Sequence, residues 1–315
     1  MKVEMRKVGS VFPQFEAKSK QVADLEVPYG IYEETEEDVQ LQSLIPREDE
    51  NYKFPMWQLL TLLAAFQDSD NVLLTGPTGV GKTMLPMQLC SKLNIPATRI
   101  NCHGDMTSAE LFGFMMPDGF VFPSIVKGIQ RPGILIIDEW DTLRPELGVG
   151  LQRLLEDADP GIYISELDKF FPKHKNCIVV ATANTTGLGD ATGLYAGTQS
   201  QNFASQNRFH LIVKMEPLDK DNMRAVLKGI KINNEHAPTE VVDNLVGFYE
   251  AIVNAYNEQR ISSIVSVRNM VQFLRYFLRF KTSAYNLCVA EKFPVESDKA
   301  IARELAERFN LAKTS

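Results

Sequence analysis

Apolar positions follow two patterns that change over near Pro217. From Asn71 onward, short apolar, β-branched runs alternate with amphipathic stretches; the runs occupy residues 71–74, 97–102, 133–138, 177–183 and 210–215. Several are apolar at nearly every position, as strands covered on both faces by helices must be, so the pattern predicts an α/β domain on a mainly parallel five-stranded sheet. Beyond Pro217 no such run recurs. Val242, Leu245, Val246, Tyr249, Ile252, Val253 and Tyr256 instead repeat at near-helical spacing behind Thr239, and Met270, Phe273, Leu274, Phe277 and Leu278 repeat behind Ser266. This predicts a small all-α domain. Ahead of the first run, Trp57, Leu60 and Ala64 with Leu59, Leu63 and Phe66 predict a helix from Pro55 that stops at residues 68–71. The expected boundaries are 1–50, 51–216 and 217–315.

Residues 1–50 hold 12 acids and 6 bases, a net of -6 out of the chain's -7, and show no sustained periodicity. The run Glu33-Glu34-Thr35-Glu36-Glu37-Asp38 predicts self-repulsion, hence an extended, partly disordered acidic arm, either solvated or docking a partner, whose removal leaves the fold intact. The remaining near-neutral charge speaks against a general nucleic-acid binder, which carries a basic excess. No window supplies the ~18–20 apolar residues of a membrane-spanning helix, and no apolar stretch follows the charged N-terminus, so the expected address is the cytoplasm. Cys90, Cys102, Cys177 and Cys288 form no Cys-x-x-Cys pair and are expected as buried reduced thiols.

Chemistry enters at Gly76, Pro77, Thr78, Gly79, Val80, Gly81, Lys82 and Thr83, which follow a strand and precede a helix and match G-x-x-x-x-G-K-[ST]. Glycines let backbone N–H groups curl around an anion, the helix start favours negative charge, Lys82 reaches the β/γ-phosphates, and the Thr83 hydroxyl is offered to Mg²⁺. The prediction is nucleotide binding. Pro86, early in the following helix, is expected to widen its first turn. A buried strand then delivers Asp138 and Glu139 at its C-terminal end, where α/β sheets place their ligands. Asp138 is suited to orient Mg²⁺ or its water shell, and Glu139 to polarise the water that attacks the γ-phosphate. Asn184 ends the next strand as a neutral amide able to hold that water or a phosphate oxygen.

Lys82, Asp138-Glu139 and Asn184, followed by Asn207-Arg208-Phe209 and by Ser266-Val267-Arg268 at the opening of a late helix, resemble the AAA+ ATPases in motif order and spacing. Within them the chain looks like the MoxR group, most closely the ATPase subunits of aerobic cobaltochelatase. That likeness is carried by Ile137-Asp138-Glu139-Trp140-Asp141 with Arg144-Pro145, by Ala181–Thr185, and by Gly187-Leu188-Gly189-Asp190 leading into Thr192–Gln199. It spans roughly residues 55–280 and omits the acidic segment. The resemblance implies a P-loop AAA+ core with a helical lid, Mg-ATP hydrolysis, and a homo-oligomeric ring, usually hexameric, with ATP between subunits. It also implies that Arg208 is an arginine finger acting on the neighbour's γ-phosphate and that Arg268 is the lid's sensor arginine. Arg144 is either a further interface contact or an intradomain partner. Segments 114–122 and 162–175 read as hairpins, which in relatives face the pore or the partner; core packing is the alternative for the Phe/Met cluster at 114–122. The implied partner is a protein client or an adaptor with a metal-dependent adhesion-type (VWA) domain.

Two other functions compete. A nucleic-acid motor or loader draws on Arg268, Arg275 and Arg279, which share a helix face, but total charge opposes it. A nucleotide-gated scaffold without hydrolysis is opposed by the intact set of Lys82, Glu139 and Arg208.

Overall fold

A computed structural model describes residues 1–16, 19–185, 206–232 and 234–313. The stretches Gly187-Leu188-Gly189-Asp190 and Thr192–Gln199, on which part of the family resemblance rests, lie outside the described residues. The chain divides into two compact units. The first comprises Met1–Asp49, Phe54–Gly76 and Lys82–Lys214, and the second Glu50–Lys53, Pro77–Gly81 and Met215–Ser315.

The first unit is built on five parallel strands: β1 (Val72–Thr75), β2 (Ala97–Asn101), β3 (Gly133–Asp138), β4 (Cys177–Ala183) and β5 (Leu211–Lys214), in the spatial order β5-β1-β4-β3-β2. Strands β3 and β4 are buried at every position, which is why their sequences run apolar without alternation. The chain leaves β1 for the far edge at β2, works back through β3 and β4, and crosses β1 to reach β5. This change of direction puts the carboxyl end of β1 at a topological switch point, where ligands bind open α/β sheets. Leu135, Ile137, Val179 and Ala181 share one core with Trp140, Leu143, Leu151 and Leu154. Phe114–Met116 and Gly119–Val121 form an antiparallel hairpin across Pro117-Asp118, and Gly161–Ile164 pairs with Lys169–Pro172 in a second. The helix Met56–Asp68 closes on Ser69 in the left-handed conformation; it buries Leu59, Leu62, Leu63 and Phe66, but Trp57, placed in the stripe by its spacing, is 71% exposed.

The N-terminal segment corrects the expectation of a disordered arm. Lys2–Lys7 and Glu26–Ile31 pair antiparallel, Val8, Phe12, Phe15 and Val27 are buried, and the Phe12 ring meets the edge of Phe54 at 5.5 Å. Thr35 caps the helix Glu36–Gln42 by accepting the Asp38 N–H at 3.2 Å, so Glu36, Glu37 and Asp38 sit in a first helical turn, where the helix dipole favours them. The second half of the acidic run is thus a helix start, not a self-repelling coil. The segment then follows the helix Met84–Leu93. Tyr32 Oη donates to Asn94 O at 3.1 Å, Asn94 Nδ2 to Gly30 O at 2.8 Å, Ala97 N to Leu44 O at 3.0 Å, and Asp49 N to Gln88 Oε1 at 2.8 Å. A Cβ on Gly30 would lie 2.0 Å from Asn94 O, so no larger residue fits that approach.

The second unit is helical over Lys220–Gly229, Thr239–Asn257, Val267–Phe280, Ala284–Cys288 and Glu296–Arg308. Val242, Leu245, Val246, Tyr249 and Ile252 pack with Met270, Phe273 and Leu274 in one core. Ser266 caps its helix by accepting the Asn269 N–H at 3.1 Å. Among the described residues no helix is long and apolar enough to cross a membrane. All four cysteines are buried free thiols.

Candidate functional site

Strand β1 runs directly into the predicted phosphate loop. Gly76, Gly79 and Gly81 adopt φ of 143°, 89° and 95°, a region that side chains with a Cβ rarely enter. Within the second unit, a Cβ on Gly79 would stand 2.3 Å from the Cβ of Ser266, so the loop's glycine allows close approach as well as its turn. The helix Met84–Leu93 follows. Pro86 is its third residue, so the missing N–H belongs to a first turn that has no intrahelical acceptor. Crowding shows only as the long 3.4 Å bond from Met87 N to Thr83 O.

Distant segments converge on Lys82 and Thr83. Lys82 Nζ donates to Gly76 O at 2.7 Å and to Asn184 Oδ1 at 2.8 Å, 102 residues away. Thr83 Oγ1 donates to Asp138 Oδ1 at 2.7 Å. The Thr182 hydroxyl donates to the same oxygen and accepts the Glu139 N–H at 3.1 Å, which joins the ends of β3 and β4. Arg99, from β2, places Nε 3.0 Å from Asp138 Oδ2 and also donates through Nη2. Asp138 is buried, whereas Glu139 is exposed and held at φ 57°, ψ 42°. This left-handed conformation costs a non-glycine residue about 1–2 kcal/mol and turns the carboxylate out of the strand line. The next residue supports it: Trp140 is fully buried and meets Phe209 edge to face at 5.5 Å.

Asp141 completes the set. It is fully buried; its Oδ2 accepts the N–H groups of Asn184 and Thr185 at 2.9 Å each and the Thr185 hydroxyl at 3.0 Å. Its Oδ1 has no hydrogen-bond partner among the described residues. Burial brings the Lys82 ammonium down from an ordinary 10.5 to about 8, while Asp141, Asp138 and Glu139 pull it back up. The result is a desolvated cation beside several carboxylates, at the end of a glycine loop.

A family model described as "AAA domain (dynein-related subfamily)" matches residues 71–228, half of the chain, from the start of β1 into the helix Lys220–Gly229. The chain belongs to this family. It is 29% identical over 239 residues to the aerobic cobaltochelatase subunit CobS of a Sinorhizobium species, covering 72% of this chain and 71% of that one. An uncharacterized protein of Staphylococcus epidermidis is 28% identical over 223 residues, covering 66% and 78%. Among solved structures, closed-state Hsp104 aligns with a TM-score of 0.50 at 16% identity over 73% of this chain; the aligned part is 45% of that protein, and the likeness is one of fold. The chain is thus an AAA-domain protein similar to CobS, and membership of the family implies nucleotide binding.

Lys82, Thr83, Asp138, Glu139 and Asn184, expected from the motifs, come together at the carboxyl ends of β1, β3 and β4. Arg208 lies in the first unit, with Nε 3.8 Å from Glu156 Oε1. Arg268 is exposed in the second unit, two residues past the Ser266 cap. Arg144 Nη2 donates to Met106 O at 2.8 Å, an intradomain bond. Asp141 and Arg99 carried no sequence assignment; the Ile137–Asp141 stretch flagged the first, and nothing flagged the second. On the first hairpin Phe114, Met115, Met116 and Val121 are all more than 40% exposed.

Mg²⁺ takes oxygen ligands and shares its shell with nucleotide phosphates. The Thr83 hydroxyl and the Asp138 carboxylate fit that requirement. Among the described residues no cluster of three or more His, Cys, Asp or Glu is placed to hold a metal by itself.

Proposed function

We propose that the chain is a Mg-ATP-hydrolysing motor that assembles into a ring, hexameric by the family resemblance, and remodels or activates a protein partner. The observation that supports the reading is the paired contact of Lys82 with Asn184 and of Thr83 with Asp138, which brings these four side chains together at the carboxyl ends of the central strands.

The roles follow from this chain's groups. Backbone N–H groups of Gly76–Thr83 and the Lys82 ammonium bind the β- and γ-phosphates; Lys82 exchanges two neutral acceptors for anionic ones. Thr83 and Asp138 would hold Mg²⁺, which would supply positive charge against the charge that develops on the transferring phosphoryl group. Glu139 accepts a proton from the attacking water, and Asn184, fixed by Asp141, orients that water or a γ-phosphate oxygen. Arg208 acts on the neighbouring subunit's γ-phosphate, and Arg268 senses nucleotide from the lid. Phosphoryl transfer depends mostly on positioning and electrostatics, so the rigid bonds around Asp138 and Asn184 suit it.

CobS is by its name one subunit of a larger enzyme, which supports a protein partner here; a VWA-type adaptor is the assignment that goes with the MoxR resemblance. Exposed Phe114, Met115 and Met116 offer an adaptable apolar contact for it. The net charge of -7 disfavours nucleic acid. Four reduced thiols suit a cytoplasmic setting. ATPase assays of the wild type, Lys82→Ala and Glu139→Gln, with sedimentation in a slowly hydrolysed ATP analogue, test the proposal. Turnover in Lys82→Ala equal to wild type removes the site, and a strict monomer at tens of micromolar protein removes the ring.

A further inference from the structure

Asp138 has no acceptor site to spare. Its Oδ1 accepts the Thr83 and Thr182 hydroxyls at 2.7 and 2.5 Å, and its Oδ2 accepts Arg99 Nε at 3.0 Å together with Arg99 Nη2. A carboxylate offers about four lone-pair sites, and these four donated hydrogens fill them. A hydrated cation approaching Asp138 must take a site from a donor already there.

The donors differ in how easily they yield. Thr182 is 1% exposed, and its hydroxyl also accepts the Glu139 N–H, so rotating it breaks a second bond in a buried place. The Thr83 hydroxyl keeps oxygen lone pairs for a metal while it goes on donating its hydrogen to Asp138. Arg99 is unlike both. Its side chain is 47% exposed and stands on β2, at the edge of the five-stranded sheet, so the guanidinium can swing into water and stay hydrated. It is also the only one of the three that carries the charge of a cation.

We propose that Arg99 is a built-in counter-ion of Asp138 that yields to the divalent cation: Arg99 and the metal occupy Oδ2 in turn, and Arg99 thereby sets how much Mg²⁺ nucleotide binding requires. The proposal rests on the reading of Asp138 as the metal-facing residue. It gives the arginine a purpose, because Asp138, Glu139 and Asp141 are gathered around one lysine and repel one another until a second positive charge is present. Arg99 supplies that charge ahead of the metal. It is a positioning residue; it does not touch the phosphates.

The test is binding of a fluorescent ATP analogue to the full chain, titrated against free Mg²⁺. Arg99→Gln is expected to reach half-saturation at about fivefold less Mg²⁺, the scale of one partly exposed ion pair removed from the competition. Arg99→Lys keeps the charge without the fork and should fall between. With no nucleotide and with chelator present, Arg99→Gln should melt below the wild type, and Mg²⁺ alone should narrow the gap. In an Asp138→Asn background the Arg99→Gln effect on Mg²⁺ should vanish. An unchanged or higher Mg²⁺ requirement in both Arg99 variants overturns the proposal while leaving nucleotide binding intact. Failure of the wild type to bind the analogue at any Mg²⁺ concentration removes the functional reading beneath it.

Discussion

Asp141 Oδ2 accepts the backbone N–H of Asn184 at 2.9 Å across 43 residues of sequence, so the carboxylate that follows the strand-end acids fixes the residue assigned to the lytic water. Its other oxygen is buried without a partner among the described residues, and its charge is the foremost carboxylate influence on Lys82. Asp141→Ala removes the carboxylate that accepts the Asn184 and Thr185 N–H groups and should cost about 1–3 kcal/mol, read as a lower unfolding midpoint. Asp141→Asn keeps an acceptor but not the charge. Its ATP affinity at neutral pH should fall below that of the wild type, because Lys82 then holds its proton less tightly.

Nucleotide affinity and stability should respond to alkaline pH in opposite directions. Lys82 is lowered to about 8 in the folded protein against 10.5 when exposed, so between those values the unfolded chain binds more protons and the fold gains stability as pH rises. The ammonium that binds phosphate is lost over the same range. Affinity for the ATP analogue should drop by up to about tenfold per pH unit above 8, while the melting temperature of the nucleotide-free protein holds or rises. A parallel fall of both would show that Lys82 is not the titrating group.

Glu139→Gln should bind ATP nearly as well as the wild type and turn over on the order of 10²-fold more slowly, since the amide keeps the shape but cannot take the proton. Glu139→Gly is the more telling variant. At φ 57° glycine relieves the backbone, so this change should raise unfolding stability by up to about 1 kcal/mol while abolishing turnover.

The N-terminal segment should prove indispensable. Gly30→Ala drives a Cβ to 2.0 Å from Asn94 O, and neither backbone can move freely, so a loss of about 1–3 kcal/mol is expected. Removing residues 1–50 uncovers Phe54, Gln88 and Asn94 and should give insoluble protein; a soluble truncation with normal near-UV circular dichroism would show that the segment is dispensable.

Action of Arg208 in trans is checked by mixing. Arg208→Ala alone should bind ATP and lose hydrolysis by ~10³-fold or more, the scale of such fingers. Rings mixed with Lys82→Ala subunits should regain activity where an intact loop meets an intact arginine. No recovery in verified mixed rings would count against the assignment.

Much of this was legible because local rules and tertiary burial agree. Strands β3 and β4 are continuously apolar, and both are buried at every position, so their limits could be read from composition alone. The glycine loop and Lys82 announce themselves by spacing. Asp141 did not, because side-chain bonds to backbone 43 residues away leave no periodic trace. Arg99 sits in a strand among Ala97, Thr98 and Ile100, where an arginine reads as a solvent-facing residue of an edge. The acidic segment differs from its sequence expectation for a specific reason: a run of like charge argues for coil until a capping Thr35 turns Glu36, Glu37 and Asp38 into a favourable first turn. Trp57 fell on the expected apolar stripe by spacing and is exposed nonetheless.

The four buried thiols have a practical consequence. Burial pushes Cys102 up to about 12 and Cys177 up to about 11, and it raises Cys90 and Cys288 as well. Thiolate is the reactive form, so at neutral pH the native sulfurs are poor targets for maleimide. A cysteine introduced at exposed Asp118, in the turn of the Phe114–Val121 hairpin, would be the fast-labelling position without any of the native four being replaced. One dye there would report how the hairpin's surroundings change through the nucleotide cycle.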